Sequence, residues 1–150
     1  MAVTLRHFTY QDADSLREHY APDMSADDIM KMIDEWNKLE YNGKRFEMFA
    51  VLDGSMLVGL ISLYEHSKSV ASLGPEIFPG MRNRGYAAEA MRQMEGYAGE
   101  KGYRVLQQQI QTDNLPSIRL HQKLGYETDG YVYRNRRDKE VVLLLKALVL

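Results

Sequence analysis

The 150-residue chain contains no cysteine. That absence removes disulfides, thiolate metal ligands and a cysteine nucleophile together, and it suits a reducing compartment. Charge of one sign is also missing, with 19 Lys and Arg against 21 Asp and Glu for a net charge of -2. General nucleic-acid and anionic-membrane binders are usually basic, so neither partner is expected. No stretch approaches the roughly 18 uninterrupted apolar residues of a spanning helix. The opening residues, MAVTLRHFTY, lack the apolar core of a signal peptide, and a cytoplasmic protein is the expectation. Internal repeats, low-complexity segments and linkers are absent from the sequence as well.

What is present describes an ordinary globular chain. A hydrophobic fraction of 45% and a charged fraction of 27% lie near the average for folded domains. The length suits one domain spanning 1–150, able to bury roughly 70% of its unfolded surface without staples.

Alternation over Val3 to Phe8 predicts an opening strand. Helices are expected over Gln11 to Tyr20 and over Ser25 to Lys38, the second capped by Ser25 with Asp27 and Asp28 in its first turn. Phe46 to Leu52 and Met56 to Tyr64 are apolar runs joined by Asp53-Gly54, a strong hairpin signal. A strand over Val70 to Phe78 contains Pro75, which cannot donate to a ladder, so a bulge or a break in pairing is expected there. A long helix follows Gly85 and ends near Gly102, with Ala87, Ala90, Met91, Met94, Tyr97 and Ala98 on one stripe. A strand at Val105 to Ile110, a short helix at Asn114 to Leu124 and a closing hairpin (Thr128 to Tyr133, Val141 to Lys146) complete the order. The long helix joins two strands, which implies at least one parallel pair.

Phe78-Pro79-Gly80-Met81-Arg82-Asn83-Arg84-Gly85-Tyr86-Ala87 lies between a strand and the start of the long helix. Helix starts expose unpaired N–H groups and about half a positive charge. A pyrophosphate docked there gains main-chain hydrogen bonds, and Gly85 lets the backbone approach it. Taken alone, the same residues also describe an ordinary strand-to-helix loop with two solvated arginines.

A second stretch, Asn114-Leu115-Pro116-Ser117-Ile118-Arg119-Leu120-His121-Gln122-Lys123-Leu124-Gly125-Tyr126, lies one helix and one strand further on. Together the two resemble the GNAT superfamily of acetyl-CoA-dependent N-acetyltransferases. The family's R/Q-x-x-G-x-G/A loop is matched by Arg82 to Ala87. Its second segment is matched at Asn114, Ser117, Leu120, Lys123, Leu124, Gly125 and Tyr126.

The resemblance implies a mixed α/β GNAT-type sandwich. Its twisted central sheet is mostly antiparallel, with a parallel pair at the coenzyme site and helices on both faces. It implies acetyl-CoA as cosubstrate, an amine as acceptor, no metal, and direct transfer in a ternary complex. The implied coenzyme residues are Ile77, Phe78, Arg82, Asn83, Arg84, Gly85, Tyr86, Ala87, Asn114 and Ser117. A main-chain N–H near Ile77 or Phe78 would stabilise the oxyanion.

Where many members carry a tyrosine that protonates the leaving sulfur, this chain has His121. An imidazole with an ordinary pKa of about 6.5 would serve a thiolate near 8.5 only if its pocket raised that value. Tyr126 and Tyr133 are the fallback acids, and Glu76 is the candidate base. A partly exposed helix residue hydrogen-bonded to a neighbour and a solvated strand-end carboxylate are the plainer readings of His121 and Glu76. The acceptor is not named by the sequence. Acidic residues on the first two helices would favour a cationic amine, and a sheet edge near the C-terminus would allow a homodimer. The rival reading is a catalytically weak acyl-CoA-binding sensor.

Overall fold

The Asp53-Gly54 turn joins β3 (Lys44–Asp53) to β4 (Met56–Glu65), each ten residues long, in the antiparallel ladder at the centre of the protein. The structure is a computed structural model describing residues 1–148, so the end of the expected 1–150 domain lies outside the described residues. The remaining strands are β1 (Val3–His7), β2 (Glu40–Tyr41), β5 (Val70–Ile77), β6 (Val105–Gln111), β7 (Val132–Arg134) and β8 (Glu140–Ala147). The helices are α1 (Ala13–His19), α2 (Ala26–Trp36), α3 (Tyr86–Glu100) and α4 (Leu115–Lys123). The sheet runs β1-β3-β4-β5-β6-β8-β7, with β2 paired to β3 off this path. Every pairing is antiparallel except β5 with β6, as the long crossover helix requires.

β3 reads as a continuous apolar run because both faces of the sheet are covered. Phe49 and Val51 pack with α3 residues Ala90, Met91, Met94 and Ala98 on one side. Met48, Ala50 and Leu52 pack with Leu16 of α1 and with Ile29 and Ile33 of α2 on the other. Burying such aliphatic side chains contributes about 1.5–3 kcal/mol each, before entropy is subtracted. Ser25 caps α2 by accepting from the Asp28 N–H, as the sequence predicts. Trp36 packs against Phe8 and Tyr20, with ring centroids 5.1 and 6.3 Å away.

One carboxylate is buried between the sheet and α3. Glu47 is 1% exposed, yet it accepts from the Tyr97 hydroxyl at 2.8 Å and from Arg45 Nε at 3.1 Å. His7 Nε2 lies 3.1 Å from the same group. These contacts dock the C-terminal half of α3 onto β3.

The structure corrects several boundaries. The first helix begins as a 3-10 turn over Tyr10–Asp12, where Asp12 accepts from the Thr9 N–H and forms a two-point pair with Arg6. The strand expected from Thr128 is delayed to Val132, because Asp129 and Thr128 fold back onto the N–H groups of Tyr131 and Gly130. β7, three residues long, forms the sheet edge beyond β8.

Candidate functional site

β5 and β6 begin side by side and then part. Their parallel ladder holds two pairs, Val70 with Val105 and Ala71 with Leu106. Beyond it Ser72 Oγ donates to the Gln107 carbonyl at 2.5 Å, with His66 Nε2 2.6 Å from the same hydroxyl. On its other side β5 stays paired with β4 as far as Ile77, and the register passes through Pro75 opposite Ile61 without a shift. The bulge expected at Pro75 is therefore absent, and the irregularity in the β3–β4 ladder falls between Val51 and Leu52. The Phe78 N–H donates to the Val58 carbonyl at 2.9 Å. Antiparallel alternation then turns the main chain of Pro75 and Ile77 toward β6. Pro75 lacks an N–H only where no ladder exists to need one.

The parting strands enclose a cleft of about 880 Å³ with β5 and β6 as its walls, the loop before α3 at one end and α4 along one side. The Ile77 carbonyl accepts from Arg82 Nε at 2.8 Å, which leaves the Ile77 N–H as the donor on the open edge of β5. Phe78 does not share this position. Its N–H is taken by Val58, and its side chain is 1% exposed in the core beneath α1 and α2.

The loop residues divide similarly. Gly85 is left-handed at φ 85 and precedes α3 with no side-chain cap. The first helical N–H with a main-chain partner is that of Glu89, bonded to the Gly85 carbonyl at 3.1 Å. The N–H groups of Tyr86, Ala87 and Ala88 before it face the cleft end without helical acceptors. A Cβ on Gly85 would meet only Met1 Cε, at 3.8 Å, so the space above it is open to a ligand. Arg82 and Asn83 line the cleft. Arg84 instead reaches back to the Gly80 carbonyl at 3.3 Å, and the Tyr86 hydroxyl points away to Asp53 at 2.5 Å.

α4 supplies the facing wall. Asn114 Oδ1 caps the helix by accepting from the Ser117 N–H at 3.3 Å, so the amide nitrogen of Asn114 and the Ser117 hydroxyl remain available to the cleft. His121 is 2% exposed. Its Nδ1 lies 2.8 Å from the Ser117 carbonyl, which can only accept, so Nδ1 carries the proton. Burial pushes the imidazole pKa down, the opposite of what a proton donor to a thiolate needs, with the Ser117 bond a smaller opposing effect. Nε2 is consequently a bare acceptor, and it is buried without a partner. Tyr126 packs edge-on against this ring at 4.8 Å, and burial pushes its phenol well above the ordinary range. Tyr133 stacks on Tyr131 in the last hairpin, away from the cleft.

The sequence reading missed Gln108, whose Oε1 is a second buried acceptor without a partner in the cleft wall. A signal was available: Gln108 shares a strand face with Leu106 and Ile110, both core residues. A polar side chain between two core positions of one strand calls for a partner.

Glu76 is exposed and lies on the other face of the sheet, since its neighbour Ile77 belongs to the α3 core and Phe78 to the α1–α2 core. Its charge is felt by Tyr20, whose phenol is raised first by burial and then by Glu76. The structure thus brings Ile77, Arg82, Asn83, Gly85, Tyr86, Ala87, Asn114, Ser117 and His121 to one cleft, with Glu76 reaching it from the opposite face, and leaves Phe78, Arg84, Tyr126 and Tyr133 outside it. Among the described residues no group of His, Asp and Glu is arranged to hold a metal ion. None of the described helices is long and apolar enough to cross a membrane.

The chain belongs to the acetyltransferase (GNAT) domain family, whose model matches residues 2–127. A curated relative, the uncharacterized N-acetyltransferase YnaD of Bacillus subtilis (strain 168), is 27% identical over 142 residues, or 86% of this chain and 81% of that protein. A probable acetyltransferase of known crystal structure superposes with a TM-score of 0.83 at 20% identity, covering 97% of this chain and 93% of the other. The spermidine N-acetyltransferase from Vibrio cholerae, solved in complex with CoA and spermine, gives 0.73 at 18% identity, covering 97% and 95%. At such identities these structures show the fold, and membership of the family makes the protein an acetyltransferase.

Proposed function

We propose that the chain transfers the acetyl group of acetyl-CoA directly to a primary amine of a small molecule or a peptide N-terminus. The observation that carries this reading is the early end of the β5–β6 ladder beside the uncapped start of α3. An extended amide-containing arm can pair with the free edge of β5, while a pyrophosphate meets the N–H groups of Tyr86 to Ala88. Gly85 keeps that approach open, Arg82 and Asn83 add donors from the cleft lining, and Arg84 adds positive charge from outside it. Asn114 and Ser117 face the arm from α4.

In the chemical step the Ile77 N–H is the donor for the thioester oxygen as it becomes an oxyanion. Glu76 stands on the face covered by α1 and α2, where an amine entering opposite α4 would lose its proton. Tyr20 and Trp36 on that face, with the exposed carboxylate of Glu76, suit a cationic acceptor, and the Vibrio cholerae neighbour was solved with spermine.

The test is an acceptor screen that measures thiol release from acetyl-CoA in the presence of polyamines, aminoglycosides and short peptides. Turnover with a primary amine, reduced at least tenfold in Glu76→Gln, is the expected result. Acetyl-CoA binding with no thiol release for any amine would overturn the reading.

A further inference from the structure

Four of the six residues from Arg134 to Lys139, at the tip between β7 and β8, are Arg or Lys, in a chain whose net charge is -2. The tip is ordered by its own hydrogen bonds. Asn135 Oδ1 accepts from the N–H groups of Arg137 and Lys139, both at 3.0 Å, and the Asn135 N–H donates to the Lys139 carbonyl at 3.0 Å. The Asn135 side-chain amide reaches past β8 to donate to Gln109 Oε1 on β6, at 3.4 Å, so the tip folds over the sheet. The carboxylates there are engaged: Asp138 pairs with Arg134 at 3.2 Å, and Glu140 accepts from the Thr112 hydroxyl at 3.2 Å. The side chains of Arg136, Arg137 and Lys139 have no hydrogen-bond or ion-pair partner among the described residues. With Gln109, Gln111 and Tyr133 they line a cavity of about 600 Å³ over Val141, which is 1% exposed.

Leu106 and Ile110 of β6 face the α3 core, so Gln109 and Gln111 face the other way, the side on which Glu76 stands. The pairs Val70–Val105 and Ala71–Leu106 set the register of β5 against β6. Carried forward, that register brings Glu76 level with Gln111 across the gap where the strands part. Gln111 in turn pairs with Val141, and Val141 with Tyr133. One row across the sheet thus runs from the carboxylate at the transfer point to the cations of the hairpin. Two to three strand spacings of about 4.8 Å separate them, or about 10–15 Å. Gln109 and Gln111 are exposed, which leaves the row between open to a ligand.

Resting on the transfer reaction proposed above, we infer that the acceptor is an extended amine bearing negative charge some distance from its reactive nitrogen, and that Arg136, Arg137 and Lys139 bind that charge. The ammonium end is drawn to Glu76 and the anionic end to the hairpin, so the two charges fix the direction in which the acceptor enters. An extended peptide advances about 3.3 Å per residue and covers the distance in three to four residues. The acceptor of this form is a peptide N-terminus with acidic side chains at its fourth and fifth residues. A polyamine carries the wrong charge at the far end, and a free amino acid is too short to reach it.

The test measures thiol release from acetyl-CoA with C-terminally amidated peptides of one length that carry Glu, Gln or Lys at positions four and five. The Glu peptide should show a KM about tenfold below the Gln peptide, and the Lys peptide the highest of the three. In the triple variant Arg136→Gln, Arg137→Gln, Lys139→Gln the KM values should converge. They should also converge for the wild type at about 1 M salt, which screens exposed charges. The three side chains are exposed and lie outside the acyl-donor cleft, so unchanged acetyl-CoA binding by calorimetry verifies that the variant is folded. Equal KM values in the wild type, or a preference for Glu that survives the triple variant, would overturn the inference. Turnover of polyamines and of no peptide would do the same, as would salt-sensitive binding of single-stranded RNA without discrimination among the peptides. Each of these outcomes leaves the transfer reaction standing, whereas no thiol release with any amine would overturn the proposed function itself.

Discussion

Two of the regions of this protein that bury polar groups do so in opposite ways. Beneath α3 the Glu47 carboxylate is surrounded by Tyr97, Arg45 and His7, with every oxygen engaged. In the cleft wall Gln108 and His121 present acceptors that nothing in the chain meets. Burial alone does not mark a functional group. A satisfied cluster fastens a helix to the sheet, whereas buried acceptors without partners carry a desolvation cost that the surrounding packing has to offset.

The sharpest way to break this contrast is to convert the satisfied cluster into an unsatisfied one. Arg45→Ala combined with Tyr97→Phe leaves Glu47 buried with His7 alone. Urea denaturation should show a loss of about 3–5 kcal/mol, as for a broken buried ion pair. Gly85→Glu acts on the other region. Wild-type protein at 100 times Kd of acetyl-CoA should gain about 2.7 kcal/mol, read as a rise in Tm of several degrees. The variant folds, less stably because its φ of 85 strains a side chain, and its Tm should not respond to acetyl-CoA.

Acid separates the regions further. Because burial lowers the His121 pKa in the folded state, the unfolded chain takes up the proton first as pH falls. The stability from keeping the ring neutral is fully present above about pH 6.5 and is lost on acidification through the folded pKa, by at most about 1.4 kcal/mol per pH unit. His66 shifts in the same direction, so His121→Phe should reduce the slope of Tm against pH between 7 and 5 without removing it. The smallest effect is the most diagnostic. Gln108→Leu removes an unsatisfied oxygen, so ligand-free stability should hold or rise by about 1 kcal/mol. A loss of 2 kcal/mol or more in urea would mean that Gln108 belongs with Glu47 as a structural group.

Much of this was legible in the sequence. The Asp53-Gly54 turn, the Ser25 cap and the stripe of Ala90, Met91, Met94 and Ala98 fold as their local chemistry dictates. So does the crossover that makes β5 and β6 parallel. The position of the cleft end was legible too, because Arg82 to Gly85 fall between β5 and α3 and Asn114 precedes α4. What stayed hidden depends on contacts distant in sequence. That the Phe78 N–H is taken by Val58 decides between Ile77 and Phe78 as a donor, and no local pattern reports it. That Arg84 turns back to Gly80 while Arg82 holds the Ile77 carbonyl is a matter of loop path. The polarity of His121 rests on one bond to Ser117 and on the depth of its pocket, both products of packing.

One position on β4 has a reach that its chemistry hides. Gly59 lies opposite Ile77, and a Cβ there would sit 2.4 Å from the Glu76 carbonyl and 3.0 Å from Ile77 Cα. Those are main-chain atoms, so the collision is relieved only by moving the end of β5, the strand that forms one lip of the cleft. A saturation library at residue 59 should therefore retain glycine alone, though residue 59 is not among the cleft-lining positions. Selection for altered acyl-donor or acceptor range would find β4 frozen at this point, while Met56, the exposed first residue of the strand, stays free to vary.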